Sequence, residues 1–398
     1  MNRLSRHIAP MMFVALLLTS LITGCQRKPL YLVQHGNVSI ATSEYDIRLE
    51  VLWGADWQVE WQYPLESWNE DIHGCIGYEE PKKVHIMTYQ LDDKMQRCRW
   101  YNERFISPKG GRINLATNES YDILLYNPDT EWILFTDRDE HRSNPTGDLK
   151  TFNVTTRTNS RAQYTRTYAG YNQPDQLFGT LIDDIYISDD PDDYVIEQNE
   201  DGSVTYVCKM DATLQPYTFI YLYQVILRNN RTEKGDAVIT SASGVTANGL
   251  ASGTDLFTRR THSNVVSITQ ENVAPLVKDY LLTLPDGTKE IADILGARIQ
   301  TWGMPSIVPL EELTRGGTEP VDSTFVGVGL NLHNGYKYVM QKNVTEQMKE
   351  KPAGGVITLV IDIPKEIPDS IINRPTVSGG FDATVKDWDN EVNADLEI

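Results

Sequence analysis
The chain has 398 residues, more than one domain usually needs, so two folded units are expected. Its formal net charge of −19 repels nucleic acid, and no basic patch or stacking platform offsets it. A hydrophobic content of 40% is enough for packed cores, and 20 Tyr with 8 Trp favour strands over helices.

Arg3 and Arg6 precede an apolar run from Met11 to Leu18, after which comes Leu21-Ile22-Thr23-Gly24-Cys25. Basic, apolar and small residues in that order form a secretory signal. The run is too short to span a bilayer, which takes about 20 residues. The ending Gly24-Cys25 resembles the lipobox of bacterial lipoproteins, which implies cleavage before Cys25 and a diacylglycerol on its thiol. An ordinary signal with an incidental cysteine is the plainer alternative, but spacing, flanking charge and Gly24 all favour the lipobox. Residues 1–24 are therefore expected to be removed, and 25–34 to form a lipidated tether. One acyl chain holds a protein to a membrane marginally, and two or more hold it stably. From Cys25 to His35 the chain extends at most about 35 Å, so the body is expected close to the lipid. After Cys25 no apolar run is long enough to cross a membrane.

Strand patterns follow. Ile47, Leu49 and Val51 alternate with Arg48 and Glu50. Trp57, Val59, Trp61 and Tyr63 alternate with Gln58, Glu60 and Gln62, and Gly54-Ala55 between the two runs predicts a hairpin. Val84 to Tyr89 reads as a strand. Pro108 to Gly111 reads as a turn. Ile113 to Leu115, Tyr121 to Tyr126 and Trp132 to Phe135 form further strands, the apolar runs being buried on both faces. Asp137 to Asp148 is polar. After Phe152 to Thr158 comes a long polar, Tyr-containing stretch without period, and the acids Asp183, Asp184, Asp189, Asp190, Asp192 and Asp193 gather near Pro191. This stretch predicts a loop crossing between the two units, 35–198 and 199–398.

Asp201-Gly202 is a hairpin dipeptide leading into strands at Val204 to Met210 and Tyr217 to Leu227. Gly244 to Gly253 is rich in small residues and predicts a close-packed loop. Val265 to Ile268 is a strand, and Asp286-Gly287 joins two more, Leu281 to Leu284 and Glu290 to Leu295. Lys337 to Lys351 reads as partly helical. Ile357, Leu359, Ile361 and Ile363 share a late strand face. The end alternates Val392, Ala394, Leu396 and Ile398 with Glu391, Asn393, Asp395 and Glu397, a donor or edge strand unless it pairs within its own sheet. Many short strands with regular turns argue for an all-β chain of sandwiches.

No catalytic constellation stands out. The His residues are scattered, with no zincin spacing, nucleophile elbow or phosphate loop, and His85 reads as a sheet residue. The acids from Asp183 to Asp193 lack the glycine and distal Glu of a calcium loop, so a solvated loop is the better reading and no metal is expected. No cofactor is expected either. Cys75, Cys98 and Cys208 remain after the leader. Either Cys75 and Cys98 form a bridge worth about 3 kcal/mol, or all three are buried thiols. Trp53, Trp57, Trp61 and Trp68 are dense enough for a glycan platform, although a shared strand face is more often core. Asp369-Ser370-Ile371 resembles a bacterial O-glycosylation motif.

The lipobox, the run Tyr121-Asp122-Ile123-Leu124-Leu125-Tyr126-Asn127 with Trp132-Ile133-Leu134-Phe135, and the tail from Gly379-Gly380-Phe381 through Trp388 to Ile398 together resemble the fimbrillin-like lipoproteins. These are subunits and anchors of type V pili. The resemblance implies two tandem transthyretin-like, Greek-key β-sandwich domains, a structural or adhesive role without catalysis, pilin partners and a lipid anchor in the outer membrane. Stalk pilins of this group are cut by an Arg-specific protease, and a neighbour's strand fills the groove so opened. Arg48 lies inside a strand pattern and no Arg follows in the loop Gly54 to Asp56, which favours an anchor or accessory subunit. No acidic run follows Cys25, so the sequence does not choose between the periplasmic and cell-surface faces. A surface glycan-binding lipoprotein for nutrient capture is the alternative.

Overall fold
A computed structural model describes residues 36–42, 60–91, 98–135, 152–159, 167–283, 287–305 and 323–375. Strand β1 (Gly36–Thr42) is followed by helix α1 (Glu70–His73), β2 (Val84–Leu91), β3 (Cys98–Ile106), β4 (Gly111–Leu115), β5 (Glu119–Tyr126) and β6 (Ile133–Phe135). Next come β7 (Asn153–Thr156), β8 (Gly170–Tyr171), β9 (Phe178–Ile187), β10 (Val195–Gln198), β11 (Val204–Ala212) and β12 (Gln215–Pro216). The chain continues through β13 (Phe219–Arg228), β14 (Ile239–Ala251), β15 (Gly253–Asp255), β16 (Val265–Gln270), β17 (Val277–Thr283) and β18 (Lys289–Thr301). Last are β19 (Phe325–Leu332), β20 (Lys337–Asn343), α2 (Thr345–Glu350), β21 (Gly355–Asp362), α3 (Ile363–Glu366) and α4 (Asp369–Ile372).

The fold is all-β, and its sheets pack as sandwiches. Sheet I has the order β10-β11-β1-β4 and sheet II the order β12-β9-β5-β2-β3. They face each other across a core of Val84, Ile86, Ile113, Leu115, Tyr121, Ile123, Leu125 and Phe178. Sheet III (β17-β18-β13-β21) faces sheet IV (β20-β19-β14-β16-β8) across a second and larger core. A small sheet V has the order β15-β7-β6.

Alternate residues of the central strands serve different cores. In β5, Tyr121, Ile123 and Leu125 fill the first core. Leu124 and Tyr126 point the other way, into a third core with Met87, Tyr89, Phe152, Ala251, Leu256 and Trp302. That third core joins the two sheet pairs. In β13, Tyr221, Tyr223, Val225 and Leu227 face sheet IV, while Ile220, Leu222 and Ile226 face a cover of Trp61, Tyr63, Trp68 and Ile76. A strand covered on both faces has no wet side, so it reads as a continuous apolar run. Each such side chain contributes roughly 1.5–3 kcal/mol on burial.

A buried ionic cluster pins one end of the second pair. Asp293 in β18 accepts from Arg231 at Nη1 (2.7 Å) and Nη2 (2.9 Å), from Asn230 Nδ2 (2.7 Å) and from the Asp279 N–H (2.9 Å). Asp279 has φ of 52° and sits in an irregularity of β17. Burial pushes the Asp293 carboxyl up, but these hydrogen bonds outweigh it and hold the group below its ordinary range.

The predicted strands from Val84, Tyr121, Val204, Val265, Glu290 and Ile357 are all present. Four readings need correction or narrowing. The run predicted as a crossing loop contains β8 and β9, the latter holding Asp183 and Asp184, while Asp189 to Asp193 lie between β9 and β10. The register of β9 shifts opposite Tyr121 and Ile123, and Asp184 has φ of 50° with its N–H given to the buried Asp122 carboxylate at 2.9 Å. That bulge breaks the alternation a strand normally shows. Gly244 to Ala251 is not a loop but the buried half of β14, central in sheet IV. Gly249 has φ of 83°, and a Cβ there would lie 2.6 Å from the Ser323 carbonyl. Small residues are what a strand needs when another backbone comes this close. Lys337 to Asn343 is strand β20, and only Thr345 to Glu350 is helical. Trp61 to Tyr63 is buried but not in a strand. The Asn199 to Gly202 turn closes the β10–β11 hairpin inside sheet I.

The Cys75–Cys98 bridge is not formed, for Cys75 is a free thiol, as is Cys208. Cys98 opens β3 opposite Leu91, at one end of β2, whereas Cys75 belongs to the segment leading into Val84 at the other end.

Candidate interaction surfaces
Cys25, the residues Val392, Ala394, Leu396 and Ile398, the Ile47 to Val51 pattern and the indoles of Trp53 and Trp57 lie outside the described residues. Trp61 and Trp68 are 5% and 8% exposed and meet edge-on at 5.9 Å, so this pair is core and not a platform. His85 lies in β2, buried, with its Nδ1 2.7 Å from the Tyr126 hydroxyl. Among the described residues no group of three or more His, Cys, Asp or Glu is placed to hold a metal ion, and no helix is long and apolar enough to cross a membrane.

Two surfaces stand out. The first is the outer edge of sheet I. Strand β10 is terminal in that sheet, and among the described residues nothing pairs with its far side. Val195, Ile196 and, on the neighbouring β11, Val204 are 49%, 62% and 50% exposed. An unpaired edge with exposed branched residues is a template for a further strand.

The second is a polar cleft of about 810 Å³ beside the third core. Its walls come from Gly74 to Lys82, the β5–β6 connection, the Asn172 to Gln176 approach to β9, the end of β16 and two residues of β18, Arg298 and Gln300. A line of hydrogen bonds fixes the back wall. Gln270 Nε2 donates to the Asn272 carbonyl (3.1 Å), and Gln173 Nε2 donates to Gln270 Oε1 (2.5 Å). Gln173 Oε1 accepts from the Gln300 N–H (2.9 Å), and Gln300 Oε1 accepts from Arg298 Nη2 (2.8 Å). Arg298 is half-buried and packs against Gly74, with its Nε sealed from solvent and unpartnered. It pairs with no carboxylate among the described residues, and burial lowers its pKa. The nearby Cys75 thiol is pushed up, first by burial. At the rim, Asp175 Oδ2 accepts from the N–H groups of Glu131 and Trp132, each at 2.6 Å, which fixes the backbone carrying the 39%-exposed Trp132.

Sequence reading missed this cleft because its residues span more than 200 positions. One signal was present: Arg298 is a lone charge in the otherwise uncharged run Ile294 to Thr301.

Residues 72–267 match the model of a family described as a domain of unknown function, DUF5119. Three solved structures illustrate the wider likeness. A candidate adhesin from Bacteroides ovatus is 14% identical with a TM-score of 0.45, covering 85% of this chain and 96% of its own. The fimbrial anchor protein Mfa2 from Porphyromonas gingivalis is 10% identical with a TM-score of 0.38, covering 82% and 90%. A fimbrial assembly protein from Parabacteroides distasonis is 8% identical with a TM-score of 0.32, covering 83% and 92%. No curated protein matches this chain.

Proposed function
We propose that this fimbrillin-like chain is a non-catalytic anchor or accessory protein of fimbrial assembly or adhesion. A lipid on Cys25 holds it at the outer membrane, and it meets pilin partners by strand addition. The observation that carries the contact mode is the free edge of β10 with Val195 and Ile196 exposed. In strand addition, main-chain hydrogen bonds supply affinity and alternate side chains supply register. The terminal alternation at Val392, Ala394, Leu396 and Ile398 is a second candidate for the same role. The chain divides into two modules, and because the β10–β11 hairpin goes with the first, the boundary falls after Ala212 and not at residue 199.

The edge is tested with Ile196→Lys and Val204→Lys in the full chain. Both are expected to fold normally and to stop co-purification of pilin subunits from the producing cell; retained pilin at wild-type yield overturns the edge reading. The anchor is tested with Cys25→Ser and labelled palmitate, and unchanged labelling and membrane fractionation would sink it.

A further inference from the structure
The cleft around Arg298 is a cavity whose chemistry the strand-edge reading does not use. We propose that the cleft around Arg298 binds a neutral saccharide. The inference does not rest on the strand-edge reading.

Ligand pockets of about 300–1,000 Å³ are usually apolar, with a few polar groups for orientation. The 810 Å³ cleft reverses that balance, because side-chain amides and carboxylates dominate its wall. An apolar ligand would leave those groups unpaired at a cost of about 1–3 kcal/mol each. A ligand that both donates and accepts at many points avoids that cost, and a sugar hydroxyl does both.

The donors and acceptors are already in place. Of the five N–H groups a guanidinium carries, Arg298 commits one to Gln300 and its Nε–H is sealed from solvent, which leaves those on Nη1 and the second on Nη2 for a guest. The Gln270 side chain is held at both ends, by the Asn272 carbonyl and by Gln173, so little of its freedom is lost on binding. Trp132 supplies a half-exposed indole at the rim, on backbone fixed by Asp175. The C–H face of a pyranose stacks on such a ring. Charge sets the class. Glu79, Glu80, Asp129 and Glu271 line the cleft against Lys82 and Arg298, in a chain of net charge −19. Such a surround repels uronates and sulfated sugars.

Isothermal titration calorimetry on the full chain decides it, with cellotriose, mannotriose, xylotriose and maltotriose as neutral probes and trigalacturonate as the acidic one. At least one neutral trisaccharide is expected to bind at micromolar to millimolar concentration, and trigalacturonate to remain silent. Trp132→Ala and Gln270→Ala should each weaken the neutral probe by about tenfold or more, that is 1.4 kcal/mol or more. Both are chosen because Arg298→Gln removes a half-buried group and is the variant most exposed to misfolding. Silence of all four neutral probes overturns the proposal. So does preferred binding of trigalacturonate, or neutral binding that Trp132→Ala and Gln270→Ala leave unchanged. Loss of pilin co-purification in Ile196→Lys with sugar binding intact would separate the two readings.

Discussion

The two sheet pairs use similar residues to different ends. The pair formed by sheets III and IV is built on strands such as β14 and β18, each 13 residues long, and encloses the larger core. Sheets I and II use mostly shorter strands, and the β10–β11 hairpin leaves Val195, Ile196 and Val204 in solvent. The long strands of the second pair are covered along most of their length, with Ile291 of β18 and Leu281 of its edge neighbour β17 left in solvent. In the first pair the exposed branched apolar residues gather on the two neighbouring strands of one hairpin. The second pair thus has the larger core and the longer strands, and the first has the denser apolar edge.

The largest perturbation to this contrast should come from the joint between the pairs. Trp302→Ala empties a site 1% exposed in the third core, whose indole Nε1 donates to Thr156 at 2.8 Å. It is expected to cost about 3–5 kcal/mol and to lower the stability of both pairs together, as chemical denaturation with tryptophan and amide probes would show. If only one pair melts earlier, the joint is not shared.

Next is Asp293→Ala, which takes the acceptor from the Asn230 amide and the Asp279 N–H, while Arg231 keeps its ion pair with Asp279. Each buried donor left unsatisfied costs about 1–3 kcal/mol. The folded pKa of Asp293 lies below its unfolded value. Its contribution is therefore complete above the ordinary carboxylate range near pH 4 and drains away as acid protonates the folded group. The variant should lose less stability than the parent between neutral and acidic pH in thermal melts.

A smaller effect is expected of Gly249→Ala, where φ is positive and the Ser323 carbonyl leaves no room for a methyl group. A cost of about 1–3 kcal/mol fits strain at such a site. Smallest is Ile196→Lys, within about 0.5 kcal/mol of the parent because the side chain is mostly in water. A large loss there would mean that β10 is structural, and the contrast between the pairs would collapse.

Much of this architecture can be read from residues alone, for identifiable reasons. Tyr121 to Tyr126 and Tyr217 to Leu227 reveal strands because both their faces are covered, and Asp201-Gly202 marks its turn because Gly202 takes a φ of 81°. Strand β9 is hidden because a bulge at Asp184 places acids where alternation would put apolar groups. Strand β14 is hidden because close packing selects Gly, Ala, Ser and Asn, the same residues that make loops. The cleft is invisible for a different reason. It is a meeting of five chain segments, and hydrogen bonds such as that between Gln173 and Gln300 join residues with no local relation.

The core around Trp302, Tyr126 and Phe152 is a solid weld. A weld removes the hinge that would otherwise let the two halves swing. The angle between them is then set at folding, and the shape of the opening around Arg298 is set with it.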